Sequence, residues 1–326
     1  MNASEFRRRL LSWFRKNGRD LPWRQTRDPY AILVSEFMLQ QTQVATVLPY
    51  YKDWLRRFPT FAALARASEN DVLLAWQGLG YYARAHNLHA TAKLVVEQHR
   101  GRFPEAIDEM EKFPGVGQYT ARAIGTFAFG QAVPIVEANV SRVLSRVFDL
   151  RKPVDSTEGR NILWNYAAAL VPKKSAAQYN SALLDLGAVI CVARNPKCQV
   201  CPVSKFCRAQ DPGLLPIKRH RPQTKHLIER HALVARQNKI LLQSAARRWR
   251  GMWILPPLSG PNRKRNGAIY SAAFPFTDHR ITLQIFPAQI RKIDKVKTRW
   301  FSRGELRSIP IPSPHRRAIE QLFLAA

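Results

Sequence analysis

The stretch FPGVGQYTARAIGTFAFG, residues 113–130, decides how most of this chain is read. Gly115 and Gly117 sit in a short turn, and a helical pattern of apolar residues follows at once. Glycine tolerates positive φ and lets other groups approach the backbone closely. The first amides of a helix have no intrahelical acceptor, so such a turn can hold an anion. An ordinary αα-hairpin turn is the alternative use of the same residues. Charge favours the anion. The 326 residues carry 52 Lys and Arg against 23 Asp and Glu, a formal net charge of +29. So basic a surface calls for a polyanion, and nucleic acid is the first choice. A membrane surface is the rival, yet no apolar run reaches the ~18 residues of a span. The segment MNASEFRRRLLSWFRKN reads as an amphipathic helix, not a secretory leader. A cytoplasmic, nucleoid-associated protein is the expectation.

On both sides of the hairpin, apolar residues recur at helical spacing through residue 207. Asp28 before Pro29, and Ser68 before ENDVLLAW, are helix N-terminal signals. All four cysteines, Cys191, Cys198, Cys201 and Cys207, fall in CVARNPKCQVCPVSKFC. In a reducing compartment disulfides are disfavoured, and four clustered thiolates argue for one metal centre. Zinc accepts an all-thiolate set. The three unequal gaps in one compact loop suit a cubane iron–sulfur cluster better. Arg194, Lys197 and Lys205 make the loop basic, so presenting cations to phosphate is a further role for it.

Beyond residue 208 the composition changes. Residues 209–226 hold three prolines and the basic cluster Lys218, Arg219, His220 and Arg221, which reads as a linker. Short β-type runs and a final helix starting at Ser313 then make residues 227–326 a small α+β domain. The expected division is thus 1–208, with the cysteine loop at 191–207, then 209–226, then 227–326.

Two carboxylates stand out. Glu36 lies in AILVSEFMLQQTQ with Ile32, Leu33 and Leu39 on its helix face. Desolvation raises the pKa of such a group, so it can hold and donate a proton near neutrality. A structural carboxylate held by a buried partner is the other reading. Leu39, Gln40 and Gln41 are side chains able to enter a base stack. Glu137 lies in PIVEANVSRV, two residues before Asn139 and five before Arg142. Alone it reads as a residue near a helix start, although Glu is not a favoured cap.

LPWR, SEFMLQQTQV, GLGYYARAHNLH, FPGVGQYTARAI, PIVEANVSRVLSR, YNSALLDLGAVIC and the cysteine spacing occur here in sequence. Over about residues 20–207 the chain resembles the MutY-type adenine DNA glycosylases of the helix–hairpin–helix superfamily. RRWRGMWILPP and FTDHRITLQIF are similar, more weakly, to that family's Nudix-like C-terminal domain. The resemblance implies a helix–hairpin–helix domain carrying a [4Fe–4S] cluster on the four cysteines. It implies a monomer, with no membrane partner, that acts in base excision repair on double-stranded DNA with A:8-oxoguanine or A:G mispairs. The adenine is flipped out of the stack to be reached.

By the same resemblance, Trp23, Arg24 and Leu39 form the adenine pocket, and Glu36 is the general acid that protonates N7. The carboxylate of Glu137, with Asn139, stabilises the oxocarbenium-like sugar while ionised. Tyr119 stands where lyases of the superfamily carry lysine. Gln41, Leu79 and Tyr82 invade the duplex at an exposed turn, Gly115 and Gly117 take phosphate, and Thr277 and His279 read the opposite base. Two places depart from the family. Glu137-Ala138 replaces its usual Asp-Gly, and Thr277-Asp278-His279 replaces its Ser-His. No Glu occurs between Glu229 and Glu305, so the glutamates that would bind magnesium for Nudix hydrolysis are missing. The rival functions are a thymine or pyrimidine mismatch glycosylase and a mismatch-binding protein without chemistry.

Overall fold

The computed structural model describes residues 1–220, 223–258, 267–288 and 297–324. Arg221 of the basic cluster in the linker lies outside them. Eleven helices precede the cysteine loop: α1 (Ala3–Asn17), α2 (Pro29–Leu39), α3 (Val44–Arg57), α4 (Phe61–Arg66), α5 (Glu69–Trp76), α6 (Ala83–His99), α7 (Ile107–Met110), α8 (Gln118–Phe127), α9 (Ala138–Phe148), α10 (Thr157–Leu170) and α11 (Ala176–Asp185). Strands β1 (Lys225–Leu233), β2 (Ala235–Arg236), β3 (Lys239–Ser244), β4 (Trp253–Ile254), β5 (Tyr270–Phe276), β6 (His279–Pro287) and β7 (Thr298–Ser302) follow, and then α12 (Ser313–Ile319).

By compactness the chain forms two units that do not follow chain order. One holds residues 1–40 and 94–220, the other 41–93 and 221–326. In the first, the apolar faces of α1, α9, α10 and α11 meet in a core that includes Phe6, Leu10, Leu144, Leu163 and Leu183. Helix α2 starts where the sequence signals it. The Asp28 carboxylate accepts from the Tyr30 amide at 3.0 Å, ahead of Glu36 on the same helix. α2 packs on α8, the helix that leaves the glycine turn. Gly115 has φ +76, which its turn requires, whereas Gly117 is extended (φ −95) and caps α8 with no side-chain bond. Nothing lies within 4 Å of where a Cβ on Gly117 would stand.

In the second unit, β6 pairs antiparallel with β5 and parallel with β1, while β3 pairs with β2, β4 and β7. Ile240, Leu242, Leu283, Ile285, Phe301 and Ile319 are among its buried core. The helical segment 41–93 is bonded to this sheet region. The Gln77 side-chain oxygen accepts from Arg316 Nη2 at 3.1 Å and from the Ile311 amide at 3.4 Å. His86 Nε2 lies 3.0 Å from the Arg250 carbonyl.

Candidate functional site

Glu36 is 5% exposed on α2 and hydrogen-bonds Tyr119 from α8. Its Oε2 is buried with no hydrogen-bond partner. Burial pushes its carboxyl up to about 7, the bond from Tyr119 opposes, and the charge of Glu137 adds to the rise. The Tyr119 phenol is pushed well above its usual range by burial and then by the two carboxylates. Tyr119 is thus a proton donor fixed on Glu36. The arrangement holds one carboxyl protonated near neutral pH and leaves one of its oxygens unengaged, which is what a general acid needs.

Glu137 is the N-cap of α9, a position Glu rarely takes. Its Oε1 accepts from the Val140 amide at 2.9 Å. Burial pushes this carboxyl up, and the amides of Asn139, Val140 and Ala138 with the charge of Arg142 pull it down. Burial wins. That works against the ionised form expected of Glu137 from the resemblance. The helix dipole and three amides still give its negative form a prepared seat. Asn139 lies against Gly187, where an added Cβ would stand 2.7 Å from the Asn139 Cβ.

One face of α9 clamps the cysteine loop. Arg142 Nε donates to the Cys191 carbonyl at 2.7 Å, and its Nη2 to the Gly187 carbonyl at 2.7 Å and to Asn139 Oδ1 at 2.8 Å. Arg146, 1% exposed, donates to the carbonyls of Val192, Ala193 and Leu215, and lies 3.3 Å from Cys191 Sγ. Cys191, Cys198, Cys201 and Cys207 all line one cavity of about 330 Å³ beside Arg146. Among the described residues no three His, Cys, Asp or Glu side chains are grouped closely enough to hold a single metal ion. Four thiols round one cavity can serve as the corner ligands of a cluster.

Trp23 and Arg24 line a cavity of about 480 Å³ with Thr26, Phe127 and Ser181. Arg24 is fully engaged. Its Nη2 and Nη1 bond the two oxygens of fully buried Asp185 at 2.7 and 2.9 Å, and its guanidinium stands over Phe14. Burial pushes Asp185 up, but the bonds from Arg24 and Arg19 outweigh it and the net shift is down. Sequence reasoning missed Asp185, Arg142 and Arg146.

The duplex-invading turn needs a correction. Leu79 and Tyr82, expected at an exposed tip, are 5% and 7% exposed. Tyr81 is 46% exposed, in left-handed backbone with φ 47. Gly78, at φ +107, could carry no Cβ because the Tyr50 hydroxyl would stand 2.1 Å away. Tyr82 is thus turned inward and Tyr81 outward. Gln41 is exposed, also in left-handed backbone (φ 57). Leu39 is partly buried at the end of α2. Thr277 lies in the turn of the β5–β6 hairpin, and His279 is the first residue of β6.

The sequence matches the HhH-GPD superfamily of base excision DNA repair proteins over residues 34–167, and the iron–sulfur binding domain of endonuclease III over residues 191–207. It is 44% identical to the adenine DNA glycosylase of Homo sapiens over 64% of this chain and 40% of that one. The chain spans less than half the length of the mammalian relatives it matches. It is 31% identical to the adenine DNA glycosylase of Buchnera aphidicola subsp. Baizongia pistaciae over 99% of this chain and 98% of that one. A solved thermostable thymine-DNA glycosylase superposes with a TM-score of 0.59 at 32% identity, covering 63% of this chain and 95% of that one. The iron–sulfur match falls on the cysteine loop, so the group this chain carries is a [4Fe–4S] cluster. With the acid pair, the cysteine loop and an end-to-end relative in agreement, the chain belongs to the adenine DNA glycosylases of the helix–hairpin–helix superfamily.

Proposed function

We propose that the chain is a monofunctional DNA glycosylase that removes adenine mispaired with 8-oxoguanine or guanine in duplex DNA, as a monomer in base excision repair. The observation that carries this reading is the buried group Glu36, Tyr119 and Glu137. Glu36 gives its proton to N7 of the extruded adenine. The C1′–N9 bond breaks and its electron pair leaves with the base. The cationic sugar finds the Glu137 carboxylate, supported by Asn139, and a cation beside it favours the ionised form. Water adds at C1′ and loses a proton. Tyr119 has no amine for a Schiff base, so the abasic strand stays whole.

Around this centre, Trp23, Arg24 and Leu39 bound the adenine pocket, with Arg24 acting through the wall it forms with Asp185. Gly115 and Gly117 take backbone phosphate. Gln41 and Tyr81 are the exposed residues that enter the duplex, Tyr81 replacing the expected Tyr82, and Leu79 and Tyr82 brace the turn from within. Residues 227–326 form a Nudix-like domain that reads the opposite base through Thr277 and His279. Cys191, Cys198, Cys201 and Cys207 hold the cluster. When bound, it cross-links four points of the loop at 191–207 and so fixes Arg142 and Arg146 on the helix that Glu137 caps.

A thymine-mismatch activity is the second reading, favoured by the 32% identity to a thymine-DNA glycosylase. Single-turnover incubation with A:8-oxoguanine, A:G and T:G duplexes, followed by alkali, tests both. Strand breaks at adenine that need alkali are expected. Breaks at thymine alone support the second reading, and breaks without alkali contradict the role given to Tyr119.

A further inference from the structure

Phe276 and His279 pair across the β5–β6 hairpin, which leaves Thr277 and Asp278 as a two-residue turn. The tip is anchored by the Lys225 amide, which donates to the Asp278 carbonyl at 3.0 Å. Thr277 has φ 51, a costly conformation for a β-branched residue where Gly or Asn would be easier. Phe276 lies under Arg248 at 4.5 Å and lines a cavity of about 370 Å³ with Gly80, Tyr82, Trp249 and Tyr270. Aromatic walls of that kind suit a planar base.

The side chains at the tip share one acceptor. Thr277 Oγ1 donates to Asp278 Oδ1 at 3.0 Å, and His279 Nδ1 lies 2.7 Å from the same oxygen. A threonine hydroxyl has one proton. With that proton held by Asp278, Oγ1 turns only lone pairs outward. The bond from Thr277, chiefly, holds Asp278 below the usual carboxylate range, so it stays an acceptor at neutral pH.

We propose that Asp278 is a specificity-determining positioning residue: by holding the hydroxyl proton of Thr277 it makes the hairpin tip an acceptor that reads the N7–H of 8-oxoguanine. Guanine has a bare N7, itself an acceptor. Lone pair would then face lone pair, a contact that penalises guanine as well as rewarding its oxidised form. A free hydroxyl would rotate and serve either base. The proposal rests on the reading that this hairpin faces the base opposite adenine.

The test compares the full-length chain with Asp278→Ala, Asp278→Asn, Thr277→Val and Thr277→Val/Asp278→Ala. Single-turnover adenine release is measured opposite 8-oxoguanine, guanine and 8-bromoguanine, the last bulky at C8 but without N7–H. Asp278→Ala is expected to narrow the preference for 8-oxoguanine over guanine by about 5- to 10-fold. Asp278→Asn restores most of it, because the amide oxygen accepts the same proton. In the Thr277→Val background Asp278→Ala adds nothing. A ratio unmoved by Asp278→Ala, an equal loss in the Thr277→Val background, or 8-bromoguanine treated as 8-oxoguanine each overturns the proposal. The same ratio read by binding to duplexes with an abasic site opposite 8-oxoguanine or guanine needs no chemistry. Binding that discriminates as described, without base release, defeats the glycosylase reading and leaves this one intact.

Discussion

At the residue scale, the two carboxylates differ in what their surroundings ask of them. Raising Glu36 to about 7 corresponds to about 3 kcal/mol of ionisation penalty. A carboxyl raised in the fold binds its proton more tightly there, so stability is full below about pH 4.5 and falls as pH climbs through 7. Thermal melts from about pH 5 to 8 are expected to show that decline in the native chain and not in Glu36→Gln. The same variant is expected to bind mispaired DNA and to release no adenine, and the native rate should fall as pH rises through 7. For Glu137→Asp, a shorter and better helix cap, stability should rise by about 0.5–1 kcal/mol in urea titrations. Its single-turnover rate is expected to rise as well, by up to roughly tenfold, because a carboxylate misplaced by one methylene costs rate. Glu36 was legible in the sequence, since a carboxylate among apolar helix neighbours must be either paired or put to use. The exposure of Tyr81 in place of Tyr82 was not. Two adjacent tyrosines are equivalent in composition, and what separates them is a left-handed backbone at Tyr81 that no residue type marks.

At the element scale, α9 works as a spacer. Its first turn seats Glu137, and Arg142 and Arg146, four residues apart on one face, seat the cysteine loop. Arg146→Ala removes donors from several buried carbonyls and is expected to cost about 3 kcal/mol or more. Iron per chain together with the melting temperature would show it, and unchanged iron content would contradict the clamp. The spacing of the four cysteines was enough to announce the loop. The arginines gave only the trace of their i, i+4 interval, because their acceptors are backbone carbonyls that no residue type marks. In α12, fully buried His315 stacks edge-on against His231 and Trp249, with Arg248 and Glu229 the charged groups nearby. Burial holds both imidazoles below their usual range, His315 well below. The unfolded chain therefore takes up protons first as pH drops below about 6.5, and stability drains from the fold on the acid side. Because Glu36 pulls the other way in this window, the effect is read between variants: in the Glu36→Gln background stability is expected to fall from about pH 7 to 5, and adding His315→Phe is expected to reduce that fall, an equal fall in both contradicting the assignment.

At the scale of the whole molecule, the net charge of +29 sets the physics of encounter. Each phosphate neutralised adds about −0.9 to the slope of log affinity against log salt, so a steep slope is expected in binding titrations. The change from helical to strand-rich sequence near residue 208 was plain in the composition. Invisible there was the grouping of residues 41–93 with residues 221–326, since it rests on single contacts such as Gln77 to Arg316. That grouping bears on modularity. A chain shortened after residue 208 would retain every acid, base and thiol placed at the catalytic centre and the cysteine loop. It would also strip Gln77, Asn70 and His86 of bonds to Arg316, Ser308 and Arg250. In this chain, therefore, the helices on either side of the turn at residues 78–82 are tied to the far end of the polypeptide, and a transplant that keeps those ties would have to carry both.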